Sequence, residues 1–281
     1  MLLLPAKQFL QFKYYLYNKR WLNLENPQSF NEKLNWMKLY YHDPLSVKLV
    51  DKYLVKDYVA SMIGEEHVIP TLGHWNSFDE IDFDKLPNQF VLKTNHDSGG
   101  VVICRDKLSF DRKAAREKLT KSLGHDYYKY SKEWAYKNVR RCIIAEKYME
   151  DTNGDDLKDY KWFCFDGIPK ALYIASDRQV AEVDTKFDFF DSDFNHLPFT
   201  NGHPNSAIPI EKPETFDEMK KLAARLAAGF PHVRIDFYEV NGNVYFGEMT
   251  FYHMGGFIAF EPEEWDYTFG SWINLPAKRL S

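Results

Sequence analysis

Apolar positions recur at helical spacing early in the chain and at strand spacing later. In KLVDKYLVKDYVASMIG, Leu49, Val50, Tyr53, Leu54, Tyr58 and Met62 follow a helical period, and Gly64 supplies a stop. Residues 1–64 therefore read as helices, and residues 65–89, rich in Pro, Gly and Asp, as irregular. From Phe90 the pattern changes: FVLKT and VVICR read as strands around a Ser-Gly loop. RKAAREKLTKSLG reads as a helix, with another predicted over Tyr128–Lys137, and RCIIAEKYME as a strand with a charged end. DYKWFCF and KALYIAS flank the turn DGIP and predict a hairpin. TFDEMKKLAARLAAG is the clearest helix: Thr215 and Glu218 have capping-box spacing, and Gly229 supplies the stop. HVRIDFYEV, NGN and VYFGEMTF predict a last hairpin, followed by a mixed tail from Phe257. Helices first, then hairpins with intervening helices, predict an α+β class.

Composition narrows the partners. A length of 281 residues suits one large domain or two lobes. The net charge of −5, with no long basic block, argues against nucleic acid, which needs clustered Lys and Arg. Cys104, Cys142 and Cys164 each sit in an apolar run without CxxC spacing, as buried thiols in a reducing compartment would. The start MLLLPAKQFLQFKYYLY is broken by Pro5 and Lys7 and lacks a signal-peptide core. No run approaches the ~18 apolar residues of a membrane span. The expectation is a cytoplasmic protein. Lys7–Trp21, mixing aromatics with Lys and Arg, predicts a helix docked on its own domain, with peripheral membrane contact as the alternative.

The stretch FVLKTNHDSGG, Phe90–Gly100, ends a strand in Lys93 just before a polar loop. A hairpin with a polar turn is one reading. A phosphate clamp is the other: a lysine neutralises phosphate oxygens, and Ser98, Gly99 and Gly100 let backbone N–H groups approach them.

The last hairpin favours the second. A three-residue loop, Asn241–Asn243, would set Val240 opposite Val244, Asp236 opposite Glu248 and Arg234 opposite Thr250, all four site residues on one face. Opposed β-carbons lie about 5 Å apart, so two carboxylates there repel unless a cation sits between them. Mg2+ takes oxygen ligands and commonly binds one or two carboxylates together with substrate phosphates. A two-residue loop would instead put Asp236 and Glu248 on opposite faces. A solvated hairpin edge is the competing reading, but Phe237, Phe246 and Phe251 are too apolar for it. HMGG, which follows, suits backbone close to a ligand. Lys161 is a second candidate cation, and Glu146 with the backbone near Tyr148 a candidate adenine contact.

In this order SFNEKLNWMKLYYHDP, FVLKTNHDSGG, IIAEKYME, DYKWFCFDGIPK and VRIDFYEVNGNVYFGEMTFYHMGG resemble the ATP-grasp superfamily, and within it the TupA-like, teichuronopeptide-type proteins of polysaccharide biosynthesis. The resemblance implies two α+β lobes gripping ATP: residues 1–85 a helical segment packed on the core, 86–145 a small lobe, and 146–281 a large lobe. It implies that Lys93 and Lys161 contact ATP phosphates and that Asp97–Gly100 folds over them. Glu146, Lys147, Tyr148 and Met149 would form the adenine hinge. Asp236 and Glu248 would hold Mg2+, and Arg234 would face the transferring phosphoryl group or the acceptor carboxylate. Thr250 stands where many such ligases carry Asn, which leaves the third metal contact open. Residues 1–85 look too short and too helical for a separate substrate domain. The implied activity is a carboxylate–amine ligase acting through an acyl phosphate, joining an amino acid or amine to a sugar acid.

Three alternatives belong to other classes. The triplet Asp191-Ser192-Asp193 matches the Asp-x-Asp pattern of glycosyltransferases that use nucleotide sugars, although FFDSDFN also reads as a strand-ending turn. A kinase would share the lysine, glycines and carboxylates, but the chain has no HRD loop, DFG or P-loop. A glycan-binding module would use the aromatic content, 17% of residues, and leave the facing carboxylates unexplained. The histidines form no metal spacing; His96 and His253 lie near the proposed ligand loops.

Overall fold

A computed structural model describes residues 4–152, 157–176 and 185–280. The apolar residues 1–3 of the start read above lie outside them. The helices are α1 (Ala6–Asn18), α2 (Phe30–Tyr40), α3 (Pro44–Leu49) and α4 (Val55–Ile63), followed by strands β1 (Thr71–Trp75), β2 (Phe90–Thr94) and β3 (Val101–Cys104). Then come α5 (Arg112–Leu123), α6 (Tyr127–Ser131), β4 (Ile143–Lys147), β5 (Asp159–Phe165), β6 (Ile168–Ser176), β7 (Lys186–Asp191), β8 (His196–Leu197) and β9 (Thr200–Asn201). The chain closes with α7 (Phe216–Ala227), β10 (His232–Val240), β11 (Asn243–Thr250), β12 (Phe260–Glu261) and α8 (Glu264–Ser271).

Two sheets carry two hydrophobic cores. The four-stranded sheet runs β1-β4-β2-β3, and the six-stranded sheet β11-β10-β5-β6-β7-β8. Period-2 alternation sends Phe90, Leu92, Ile143 and Ala145 into the first core with Leu119 of α5. Lys93 and Glu146 therefore share the other face. In the second sheet Trp162 packs on Phe216 at the start of α7, while Phe163 and Phe165, on the opposite face or at its rim, meet Phe30 of α2 and Phe269 of α8. Phe9, Leu10 and Tyr14 of α1 join this second core, so the N-terminal helices dock on the body of the chain. The outer face of α1 leaves Phe12, Tyr15 and Leu16 exposed. Among the described residues no helix is long and apolar enough to cross a membrane.

Several sequence expectations change. Residues 65–89 are not wholly irregular: β1 pairs antiparallel with β4 and extends the first sheet. The helix expected over Tyr128–Lys137 is α6 plus a 3-10 turn, Trp134–Tyr136, because Lys132 adopts left-handed φ 58 between them. The helical stretch before Gly64 breaks at Asp51, whose carboxylate accepts from the N–H groups of Tyr53 and Leu54. Thr215 forms no capping box; its hydroxyl turns to the Glu239 carboxylate instead. A capping box does exist at Ser29–Glu32, where the Ser29 side chain accepts from Glu32 N–H and Glu32 reaches back. The first sheet also crosses the expected lobe boundaries, since β1 falls within 1–85 and β4 straddles residues 145 and 146.

Candidate active site

The β10–β11 hairpin reaches the expected pairing by a different route. Its loop has two residues, Asn241 and Gly242, both left-handed (φ 51 and 72), so Val240 faces Asn243 rather than Val244. A bulge between Phe237↔Phe246 and Asp236↔Glu248 then adds one residue, Gly247, to β11. The extra residue restores Asp236↔Glu248 and Arg234↔Thr250. A side chain there is crowded: a β-carbon on Gly247 would lie 3.2 Å from the Asp236 carbonyl oxygen and 3.0 Å from the Tyr238 ring.

Asp236 is the centre of the arrangement. Its carboxylate accepts from Arg234 Nε at 2.7 Å and Nη2 at 2.8 Å, and from Lys161 Nζ at 2.6 Å. Lys161 arrives because β5 sets it opposite Asp236 on β10. Arg234 also donates to Thr250 Oγ1 at 3.0 Å and to His253 Nδ1 at 2.8 Å. His253 Nε2–H then points to Asn201 Oδ1, 2.9 Å away, which fixes a neutral ring. Burial and the Arg234 charge hold the His253 pKa well below its usual range. Burial would raise the Asp236 carboxyl, but Arg234 and Lys161 outweigh it and hold the pKa at about 2. Burial likewise opposes the charges of Arg234 and Lys161, and Asp236 reverses the effect for both. Burial would also raise Glu248, yet it stays lowered, chiefly through Lys52, whose Nζ lies 3.0 Å from Oε1.

The loop between β2 and β3 meets this centre through Lys52, which bonds both the Asp97 carbonyl and Glu248. Asp97 does not point outward: its carboxylate accepts from Thr94 Oγ1, Ser122 Oγ and Gly100 N–H. Burial would raise its pKa, and these bonds lower it. Asp97 thus shapes the loop from within, while Ser98 and Gly99 stand exposed at its tip. Gly100 allows close packing, since a β-carbon there would clash with Thr94 Oγ1 and Ser122 Oγ. The loop is tied to the helices as well. Lys52 Nζ donates to the Asp97 carbonyl at 2.7 Å, and Asn95 Nδ2 donates to Asp51 Oδ2 at 2.8 Å.

Lys93 lies diagonally across from Glu146, with Nζ 2.6 Å from Oε2, and Lys56 lies 2.7 Å from Oε1. Burial would raise the Glu146 carboxyl, but the two lysines hold it at about 2. The Glu146 side chain thus orients both lysines. The next residues, Lys147, Tyr148 and Met149, form the end of β4 and the chain beyond it, and the Tyr148 hydroxyl accepts from Arg105 Nε at 3.2 Å.

Lys52, Lys56 and His253 have no motif of their own in the sequence reading, although HMGG drew attention to His253. Asp191, first of the Asp-x-Asp triplet, ends β7 and accepts from Asp193 N–H and from Asn195 N–H and Nδ2. That carboxylate holds a turn. All three cysteines are buried and free. Among the described residues no group of three or more His, Cys, Asp or Glu gathers as a metal cluster. The facing carboxylates Asp236 and Glu248 are met by three protein cations, Arg234, Lys161 and Lys52, and Thr250 accepts from Arg234; the pair and Thr250 supply the oxygen donors a hard cation takes, which would bind in exchange for some of these contacts.

Among solved structures the chain is similar to D-alanine–D-alanine ligase from Bacillus anthracis complexed with ATP, at 16% identity and TM-score 0.40, covering 80% of this chain and 57% of that one. It is similar to the ATP-grasp ligase PsnB complexed with minimal precursor, Mg and ADP, at 11% identity and TM-score 0.41, covering 78% and 57%. D-Alanine–D-alanine ligase from Helicobacter pylori aligns at 15% identity and TM-score 0.42, over 88% of this chain and 70% of that one. The chain thus spans less than three fifths of the length of the first two. No curated protein matches it in sequence. The model of the TupA-like ATP-grasp family matches residues 32–274, and the chain belongs to that family.

Proposed function

We propose that this chain is an ATP-dependent ligase that activates a carboxylate as an acyl phosphate and joins it to an amine, releasing ADP and phosphate. The observation that carries the reading is the row Lys161–Asp236–Glu248, with Arg234 and Thr250 beside it on the same sheet face. Asp236 and Glu248 would hold Mg2+, with Thr250 as a further oxygen. The ion would neutralise phosphate oxygens and offset charge developing on them.

The protein residues position and stabilise. Lys93 and Lys161 bind phosphate oxygens, each oriented by a carboxylate that also keeps it charged. Arg234, locked by Asp236, Thr250 and His253, presents a fixed positive charge to the transferring phosphoryl group. The substrate carboxylate is the nucleophile, so no nucleophilic side chain is needed. The loop Asp97–Gly100 covers the phosphates and keeps water from the acyl phosphate. Backbone around Tyr148 and Met149 meets the adenine. The resemblance to teichuronopeptide-type proteins supports a sugar acid, such as a uronic acid unit, as acyl donor in cell-surface polysaccharide synthesis, and an amino acid or amine as acceptor.

Hydroxylamine trapping tests the reading. With ATP, Mg2+ and a panel of sugar acids and amino acids, the expected result is ADP together with a hydroxamate from one acid. ADP without hydroxamate for any acid in the panel would overturn carboxylate activation.

A further inference from the structure

The ligation scheme above leaves one part of the surface unused: the outer face of α1 and the turn that follows it. Leu4, Phe12, Tyr15, Leu16, Tyr17 and Trp21 are all exposed, Phe12 and Leu16 at 45% and Trp21 at 63%. A single exposed apolar side chain is ordinary, but a cluster of them marks a contact surface. Phe12, Tyr15 and Leu16 are three and four positions apart, so they share one helix face. Lys19, left-handed at φ 56, ends the helix and turns the chain. Trp21 then stacks on Tyr15 with ring centroids 4.7 Å apart, which carries the same face past the helix end.

The helix beneath this face is held firmly. Its inner side buries Phe9, Leu10 and Tyr14. Gln11 Nε2 donates to the Leu22 carbonyl at 2.8 Å, Lys13 Nζ to the Tyr130 carbonyl at 3.2 Å, and Asn18 Nδ2 to the Phe257 carbonyl at 2.9 Å. These contacts fix which side of α1 points inward, so Phe12, Tyr15 and Leu16 stay displayed.

Charge identifies what such a face suits. No Asp or Glu stands before Glu25, whereas Lys7, Lys13, Lys19 and Arg20 do. The segment carries +4 in a chain of net charge −5, so the rest of the chain carries −9. Arg20 is answered by Glu263 at 2.9 Å and Asp266 at 3.3 Å, and Lys13 lies over the Phe9 and Phe257 rings. Lys7 and Lys19 stand exposed toward the two ends of α1. An apolar stripe with Tyr and Trp at its margin and lysines around it matches the interface of an anionic bilayer. Aromatic rings sit at headgroup level, apolar side chains enter below them, and cations meet the lipid phosphates. A second copy of this chain would bring two +4 segments face to face, and like charges oppose that.

We propose that the outer face of α1, with Trp21, is a docking surface for an anionic lipid bilayer, on which the protein lies without spanning it. Docking of this kind does not depend on the ligase reading.

Vesicle sedimentation tests the surface. Vesicles of phosphatidylcholine mixed with phosphatidylglycerol should carry the wild-type protein down, and vesicles of phosphatidylcholine alone should carry about fivefold less. Added salt should weaken the anionic binding. The double variant Phe12→Ser, Leu16→Ser should bind the anionic vesicles about tenfold less, with Tm unchanged because both side chains are exposed. No binding to the anionic vesicles, equal binding to both kinds, or full binding by the double variant would overturn the proposal. A dimer by size exclusion that disappears in the double variant would give the face to a second copy instead. Where that variant folds poorly, vesicles with brominated acyl chains decide the matter on the wild-type protein. They should quench its tryptophan fluorescence, and Trp21→Phe should remove most of the quenching. Quenching that survives in full in Trp21→Phe would place the lipid elsewhere on the surface.

Discussion

Lys52 and Glu248 are 196 positions apart in the sequence, and Lys52 Nζ sits 3.0 Å from Glu248 Oε1. The same ammonium donates to the Asp97 carbonyl at 2.7 Å, so one side chain links the clamp loop to a proposed metal carboxylate.

Removing that link should loosen the loop. Lys52→Met is expected to reduce kcat/KM for ATP by about tenfold or more, in line with the ~1.5–3 kcal/mol of a charged hydrogen bond. Hydrogen exchange checks the cause: amides of residues 95–100 should lose protection, while the α7 amides keep theirs. Unchanged exchange at 95–100 would rule out the anchoring role.

The bulge at Gly247 predicts a register effect. Gly247→Ala pushes a methyl group toward the Asp236 carbonyl and the Tyr238 ring. The expected cost is about 1–3 kcal/mol of stability, read as a lower Tm, with loss of ADP formation as Asp236 and Glu248 part. Wild-type activity and Tm together would mean that the bulge is dispensable.

Glu146 predicts a pH dependence. Its folded pKa, about 2, lies below the ordinary value of 4.5. A depressed carboxyl contributes stability that is fully present above pH 4.5 and is lost as pH falls through about 2. Urea unfolding across this window should show wild type losing on the order of 3 kcal/mol more than Glu146→Gln. Parallel curves for the two proteins would contradict the pairing with Lys93 and Lys56.

His253 predicts a split between binding and turnover. His253→Phe removes the acceptor of Arg234 Nη1 and leaves a buried guanidinium N–H unmatched, at a cost of about 1–3 kcal/mol. Turnover should fall at least tenfold, with ATP affinity by calorimetry changed less than threefold. A loss in ATP affinity as large as the loss in turnover would show that His253 acts through nucleotide binding instead.

Much of the site was legible because strands have period 2. That period alone puts Lys93 off the core face of β2 and Arg234 beside Asp236. The Asp166-Gly167 turn of the β5–β6 hairpin was equally readable, since both residues take the left-handed φ that such a turn requires, 47 and 77. The last hairpin is more instructive. The loop length was misjudged and the pairing was right, because Gly247 adds back the residue that the shorter loop removes. A pattern of alternating residues does not reveal a bulge, whose signal is a single glycine inside a strand. The Thr215-x-x-Glu218 spacing misled for a related reason: a tertiary partner, Glu239, takes the hydroxyl that a local cap would have used.

Turn chemistry and alternation are local, so the candidate site residues could be assigned to their strands and loop from the sequence. It also carried the family, through the order of the motifs. What those residues touch came from the packing of distant segments. Lys52 and Lys56 come from the helical segment, Asp97 turns inward, Glu146 pairs with two lysines, and His253 holds Arg234 from beyond the hairpin. Such partners are chosen by burial. A charge withdrawn from water must meet its opposite wherever the packed chain brings one, and no local pattern records where that is.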